Sequence, residues 1–238
     1  MIKLLLRQTI ELSTQLLCYI KRNRRIVPPD DGKEVKVNLG CGLAIAPDWI
    51  NIDGSLNSLI AAWPRWVHQM FYRMSGANRY YSCGEYCSLL RDHQFIHHDL
   101  ARGIPLTDQS VDFIYSSHFL EHLHLENAEN LLRESFRVLK PGGIIRICVP
   151  DLAHAISLYG NGMADKKQML SNYFFVEDKA SYFAAHKYMY DFELLEEALM
   201  RAGFEDVRQC DFQKGVTPDL TKLDNREDDS LFVEALKK

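Results

Sequence analysis

The sequence predicts a doubly wound α/β fold, a mostly parallel sheet with helices on both faces, and three features of the residue pattern carry that expectation. Short β-rich runs, "VKVNL", "WINID", "QFIHHD", "VDFIYSS" and "IIRICVP", follow the proline pair at 28 and 29, each of strand length and bounded by turn residues. Between the last two lies "LENAENLLRESFRVLKPGG", which puts Ala128, Leu131, Leu132, Phe136 and Leu139 on one helical stripe and carries Pro141-Gly142 as its stop. Strand, helix and strand in that order imply a parallel pair with a crossover helix. A second helix, "DFELLEEALMRAGF", starts behind a capping Asp191 and stops near Gly203; "EDVRQCDF" and "SLFVEAL" beyond it supply two further strands. In open α/β sheets ligands sit beyond the carboxyl ends of the strands, where the strand order reverses, so candidate residues are sought there.

A chain of 238 residues, 47% hydrophobic and 25% charged, is ordinary for a folded protein with one principal core. A net charge of -4 and a pI near 6.1 give no general attraction to nucleic-acid phosphates, so no nucleic-acid partner is expected. The six cysteines, at 18, 41, 83, 87, 148 and 210, make no paired ligand pattern, which fits a reducing cytoplasm. Residues 1–29 are expected to form an amphipathic helical extension. Ile2, Leu5, Leu6, Leu16, Leu17 and Ile20 recur roughly at helical spacing, "KRNRR" follows, and Lys3, Arg7 and Glu11 interrupt any membrane-spanning run. Two roles stay open for it: packing on the domain or a partner, and lying on the inner face of a membrane with its basic end on anionic headgroups. The main domain then spans residues 30–238, with aromatic-rich stretches at about 55–93 and 152–190 that break the alternation and can serve as a lid, an acceptor pocket or added core.

The stretch "VKVNLGCGLAIAPDWINIDGS" joins the first two runs through a turn. A dinucleotide fingerprint requires G-x-G-x-x-G and an acid about twenty residues on. Here Gly40 and Gly42 are followed by Ile45 at the third position, and Asp53 comes 13 residues after Gly40. With Pro47 in the way there is scarcely room for a crossover helix, so the helix N-terminus that would neutralise a pyrophosphate is expected to be short or missing. A ligand with a ribose and no phosphate does not need it. Asp53, at a strand end, can accept hydrogen bonds from both ribose hydroxyls.

The order of these motifs resembles that of class I S-adenosylmethionine-dependent methyltransferases of the type-11 kind. "VNLGCG" is similar to the family's first motif, "NIDGS" to its ribose acid, "HHDLARGIPLTDQSVDFIYSSHFLEHL" to its adenine-contact and fourth-strand region, and "RVLKPGGIIRICVPD" to its fifth-strand lead-in. The likeness runs over roughly residues 34–151, and "MRAGFEDV" with "SLFVEAL" extends it. It implies a Rossmann-like sheet with a C-terminal antiparallel strand, and S-adenosyl-L-methionine as cofactor. It puts Gly40, Cys41 and Gly42 against the methionine part, Asp53 with Gly54 at the ribose, Asp99 and the Leu100 backbone at the adenine, and Ser116 and Ser117 beside them. The shortened link between Gly42 and Asp53 departs from the family pattern. In the plainer reading, Asp53 caps a turn and Asp99 pins the loop holding Gly103 and Pro105.

"SSHFLEH" also spells H-x-x-E-H through His118, Glu121 and His122, a zinc-peptidase signature. That motif belongs inside a helix, whereas here it directly follows a strand-like run, so His118 is expected at a strand-to-helix turn, no metal is expected, and a zinc hydrolase is the lesser alternative. Methyl transfer from a sulfonium needs alignment of the acceptor and exclusion of water. A hydroxyl acceptor also benefits from a base, and His118 is the first candidate, Asp151 the second and His186 the third; a turn histidine and a cap of "LAHAISLY" are the plainer roles of the first two. The expected function is methylation, at oxygen, of a small-molecule or glycan acceptor, the glycan resting on analogy with relatives linked to polysaccharide assembly. A non-catalytic S-adenosylmethionine-binding regulatory module is the alternative.

Overall fold

The structure, a computed structural model, describes residues 14, 16–20, 25–29, 31–161, 165–174 and 185–238. Seven strands form one sheet: β1 (Lys36–Leu39), β2 (Trp49–Asp53), β3 (Gln94–His97), β4 (Val111–Ser117), β5 (Leu139–Pro150), β6 (Glu205–Cys210) and β7 (Ser230–Leu236). Each coincides with an expected run. The order is β3-β2-β1-β4-β5-β7-β6, parallel from β3 to β5, with β7 antiparallel to both β5 and β6. Strand order therefore reverses between β1 and β4, where Leu39 is in register with Ser116.

The helices are α1 (Leu56–Ile60), α2 (Arg65–Phe71), α3 (Cys83–Asp92), α4 (Leu125–Val138), α5 (Leu152–Gly160), α6 (Lys166–Tyr173), α7 (Phe192–Ala202) and α8 (Leu220–Leu223). Strand side chains alternate between faces, and on one face Val37, Leu39, Ile52, Ile114, Ile145 and Val233 pack with Ala128, Leu131 and Leu132 of α4 and Leu195 and Leu199 of α7. Asp191 caps α7 by accepting from the Leu194 N–H, and Gly203 ends it at φ 106°. The end of α4 differs from expectation. The helix stops at Val138, and Leu139, fully buried, already pairs with Val111, so Pro141 and Gly142 lie inside β5 where its register with β4 shifts.

Residues 55–93 form the β2–β3 crossover. Ile60, Val67, Tyr86, Cys87 and Leu90 build a small core of their own there, joined by Phe95 of β3. Phe95 lies opposite Asn51 in register, so this lobe covers the second face of the sheet. The capping box of Ser82 and Glu85 starts α3, while Trp63, Trp66 and Tyr80 remain exposed. In the 152–190 stretch Tyr173 and Tyr190 are buried; Phe175, Tyr182 and Phe183 lie outside the described residues.

Most of the N-terminal extension also lies outside the described residues. Residues 16–20 are helical, with the buried Cys18 Sγ 3.4 Å from His97 Nε2 and with Leu16 and Ile20 exposed. Farther on, Ile26 bridges Leu106, so this part of the extension lies on the domain. No helix among the described residues is long and apolar enough to cross a membrane.

The second face also carries a buried polar network. Arg146 on β5 donates to Asp224 through Nη2 at 2.6 Å and Nε at 3.2 Å, and its Nη1 lies 3.5 Å from Glu234 of β7. Tyr115 donates to the same Asp224 at 3.1 Å. All three charged groups are withdrawn from water, so each relies on the others. Arg146→Met strands the carboxylates and is expected to cost about 3–5 kcal/mol in chemical denaturation, whereas Arg146→Met combined with Asp224→Leu recovers part of that loss. Equal stability of Arg146→Met and the wild type would contradict this account.

Candidate functional site

The site begins at the link between β1 and β2, residues 40–48, which contains no helix. Gly40 and Gly42 take positive φ of 65° and 51°, which bends the chain back over the sheet. Asn38, fully enclosed on β1, donates from Nδ2 to the Ala44 carbonyl at 2.9 Å and lies in register with Asn51 of β2, whose own amide donates to the Trp49 and Gln94 carbonyls at 3.0 Å. This brings the Gly42 N–H within 2.9 Å of Asp53 Oδ2, while the Ser55 N–H donates to Oδ1 at 2.6 Å. Each carboxylate oxygen thus accepts one backbone bond and keeps a second lone pair. Cys41 is buried in the same turn, and burial together with the nearby Asp53 charge pushes its thiol well above its ordinary pKa. Gly40 is hemmed in on its other side. A Cβ there would collide with the Phe119 ring, so that ring, delivered from the end of β4, rests directly on the turn.

The remaining expected cofactor residues lie around the same strand ends. Gly54 follows Asp53 where a Cβ would come 3.3 Å from the His98 carbonyl. Asp99 accepts from the Ala101 N–H at 3.1 Å and from Arg102 Nε at 3.0 Å, which starts the turn Leu100–Arg102 and buries Leu100. Ser116 and Ser117 close β4, and the buried Ser116 Oγ has no hydrogen-bond partner among the described residues.

Beyond β4 the H-x-x-E-H residues lie in a single 3-10 turn, Leu120–His122, preceded by His118 at φ 48°. His118 is therefore at the expected strand-end turn. Its backbone N–H donates to Cys148 at the end of β5, its Nε2 lies 2.8 Å from Ser230 Oγ, and its Nδ1 lies 3.4 Å from Glu121 Oε1. Glu121 is 0% exposed, and neither carboxylate oxygen has a hydrogen-bond partner among the described residues. His186 arrives from the second aromatic stretch: the Lys187 and Tyr188 N–H groups both donate to the Glu121 carbonyl, at 2.8 and 3.2 Å. Ligand atoms of Glu121, His122 and His186 consequently fall within 4.8 Å of one another. Burial holds His122 below the ordinary histidine pKa, against the opposing pull of Glu121. Asp151 caps α5, its Oδ1 accepting from Ala153 and His154 at 2.9 and 3.2 Å.

Of the residues singled out from the sequence, Gly40, Asp53 and His118 lie at the carboxyl ends of β1, β2 and β4, Asp151 caps α5, and His186 lies beside Glu121. Reading the sequence missed Phe119 and Ser230, which no local pattern marks, and it did not foresee that Glu121 is the buried centre of the histidine group.

Residues 72–147 match the sequence profile of a methyltransferase-domain family. No curated protein sequence matches the chain. Among solved structures, one from Bordetella parapertussis described as a possible exported protein shares 18% identity and a TM-score of 0.51, over 92% of this chain and 64% of that one. A SAM-dependent methyltransferase from Archaeoglobus fulgidus shares 17% identity over 97% of this chain and 94% of its own, with a TM-score of 0.49. A possible histamine N-methyltransferase from Thermotoga maritima shares 18% identity over 98% and 92%, also at 0.49.

The closed turn makes a chemical prediction. Alkylation of the native protein with iodoacetamide, mapped by peptide mass, should label the half-exposed Cys83 and leave Cys41 and Cys148 unmodified, since burial raises both of their thiol pKa values. Labelling of Cys41 as fast as Cys83 would show that the turn stands open.

Proposed function

We propose that the chain is an S-adenosylmethionine-dependent methyltransferase that transfers the methyl group to a hydroxyl oxygen of a small-molecule or glycan acceptor. In this reading the free lone pairs of Asp53, oriented by the Gly42 and Ser55 N–H groups, receive the ribose hydroxyls. The Gly40–Gly42 backbone lies against the methionine part, and the end of β3, with Asp99 and Leu100, borders the adenine.

The observation that carries the hydroxyl assignment is the gathering of His118, His122, His186 and Glu121 at the carboxyl end of β4, beside the Phe119 ring that rests on Gly40. A hydroxyl is a weak acid whose proton must leave as the oxygen is alkylated, so it needs basic groups at hand. The acceptor oxygen forms a bond to the methyl carbon as the carbon-sulfur bond breaks, and the released electron pair stays on sulfur, turning the sulfonium into a neutral thioether. The proton passes to the Ser230 hydroxyl, which hands its own to His118 Nε2, and the resulting imidazolium faces the Glu121 carboxylate through Nδ1. Asp151, engaged in capping α5, and His186, whose Nδ1 is bound to the Tyr173 carbonyl at 2.6 Å, rank behind His118 as bases. Exposed Trp63 and Trp66 belong to the lobe whose Tyr81 hydroxyl donates to Leu43 of the β1–β2 link at 3.1 Å, and their ring faces suit the apolar side of a sugar.

Two measurements test the reading. Asp53→Asn is expected to weaken S-adenosylmethionine binding in calorimetry by roughly 10- to 100-fold through loss of charge-assisted bonds to the ribose; undiminished affinity removes Asp53 from the cofactor. His118→Gln is expected to lower turnover with a hydroxyl acceptor by about 10²- to 10⁴-fold at unchanged cofactor affinity. Unchanged turnover rules His118 out as the base.

A further inference from the structure

We infer that Glu121, His122 and His186 form a site for a divalent transition-metal ion at the carboxyl end of β4, with open coordination positions for the hydroxyl of the acceptor. The inference rests on reading this cleft as the place of methyl transfer, and it adds a ligand that reading does not require.

The tautomers carry the argument. His122 Nδ1 lies 3.3 Å from the Ala185 carbonyl and His186 Nδ1 lies 2.6 Å from the Tyr173 carbonyl. A carbonyl only accepts, so both rings hold their proton on Nδ1 and present a bare lone pair at Nε2. Both Nε2 atoms point at Glu121 Oε1, from 3.9 and 4.0 Å, beyond hydrogen-bond reach. The fully buried carboxylate has no donor on either oxygen among the described residues. Two lone pairs and a donor-free carboxylate thus face one shielded point, an arrangement that a cation placed there would satisfy.

Backbone carbonyls behind imidazole ligands are the usual outer support of a metal site, fixing the ring and leaving the far nitrogen free. Metal bonds of about 2.0–2.2 Å place neighbouring ligand atoms roughly 3 Å apart, so the three groups, now within 4.8 Å of one another, need to close by about 1–2 Å through side-chain rotation. His118 Nδ1 lies 3.4 Å from the same Oε1 without a hydrogen bond to it. Two imidazoles and one carboxylate select manganese, iron, cobalt, nickel or zinc over magnesium or calcium, and three protein ligands leave at least one position open. His122 is 23% exposed, which opens that position to solvent. A hydroxyl bound there is acidified, so its proton leaves more readily to Ser230 and His118.

The test uses the full chain stripped with a chelator and titrated calorimetrically with Mn²⁺ and Zn²⁺, alongside S-adenosylmethionine. The expected result is one ion per chain, a rise in melting temperature on loading, and at least about 100-fold weaker binding in Glu121→Gln, His122→Ala and His186→Ala, with His154→Ala, exposed on α5, unchanged. A second readout needs no metal. Glu121→Gln replaces the anion by an amide that can donate to an Nε2, so the stripped variant should melt higher than the stripped wild type. Absence of binding to the wild type, equal binding by the three ligand variants, or a lower melting temperature of stripped Glu121→Gln overturns the proposal. Protein that binds S-adenosylmethionine and neither ion defeats this inference alone, and protein that binds none of the three defeats the reading of the cleft as well.

Discussion

The bond from Asn38 to the Ala44 carbonyl constrains everything at the carboxyl edge of the sheet. Adjacent parallel strands are ordinarily joined by a dozen or more residues wound into a helix, whose internal bonds satisfy the backbone of the crossover. Residues 40–48 have no helix, so the polar groups of this link must find partners on the sheet itself. Asn38 and Asn51, in register on neighbouring strands, supply them. Two asparagines inside strands would otherwise be a cost, and here they replace a helix. By pulling the link down they set the Gly42 N–H on Asp53, and the turn then leaves only enough room above Gly40 for the flat ring of Phe119.

That geometry separates this link from the strand-to-helix turn that meets a pyrophosphate. No helix N-terminus follows β1 to meet a phosphate, and the acid at the end of β2 is held by backbone donors on both oxygens. The polar groups offered are oriented lone pairs, suited to hydroxyls. On the β4 side the turn through Glu121 is equally short, and it is shaped from outside: Lys187 and Tyr188 hold the Glu121 carbonyl, and Lys187 Nζ holds the His122 carbonyl at 2.7 Å. Two tight turns thus stand one on each side of the point where strand order reverses.

What could be read in the sequence follows from the range of the forces involved. Strands betray themselves through local apolar patterning, and all seven did; Asp191 and Gly203 mark the ends of a helix because capping is a matter of neighbouring residues. The missing first helix was legible from Pro47 and the spacing of Gly40 and Asp53 alone. Long-range pairings were not. That Leu139 enters the sheet before Pro141 and that His186 meets Glu121 across more than sixty residues both depend on contacts no short window of sequence contains. The aromatic residues at 55–93 show the same limit, since Tyr86 and Trp66 look alike in a list and end up in a core and on a surface.

The placement of β7 between β5 and β6 has a bearing on how the protein comes into being. β6 precedes β7 along the chain, yet among the described residues it pairs with β7 alone, and Arg146 on β5 finds its counter-charges only on Asp224 and Glu234. A nascent chain on the ribosome that has exposed everything up to Cys210 therefore holds an unaccompanied strand, an open sheet margin and a lone guanidinium facing an apolar wall. Vectorial synthesis delivers these pieces in the wrong order for stepwise zipping, so the right-hand part of the sheet has to condense in one late event, and until then the growing polypeptide is the kind of sticky intermediate that chaperones retain.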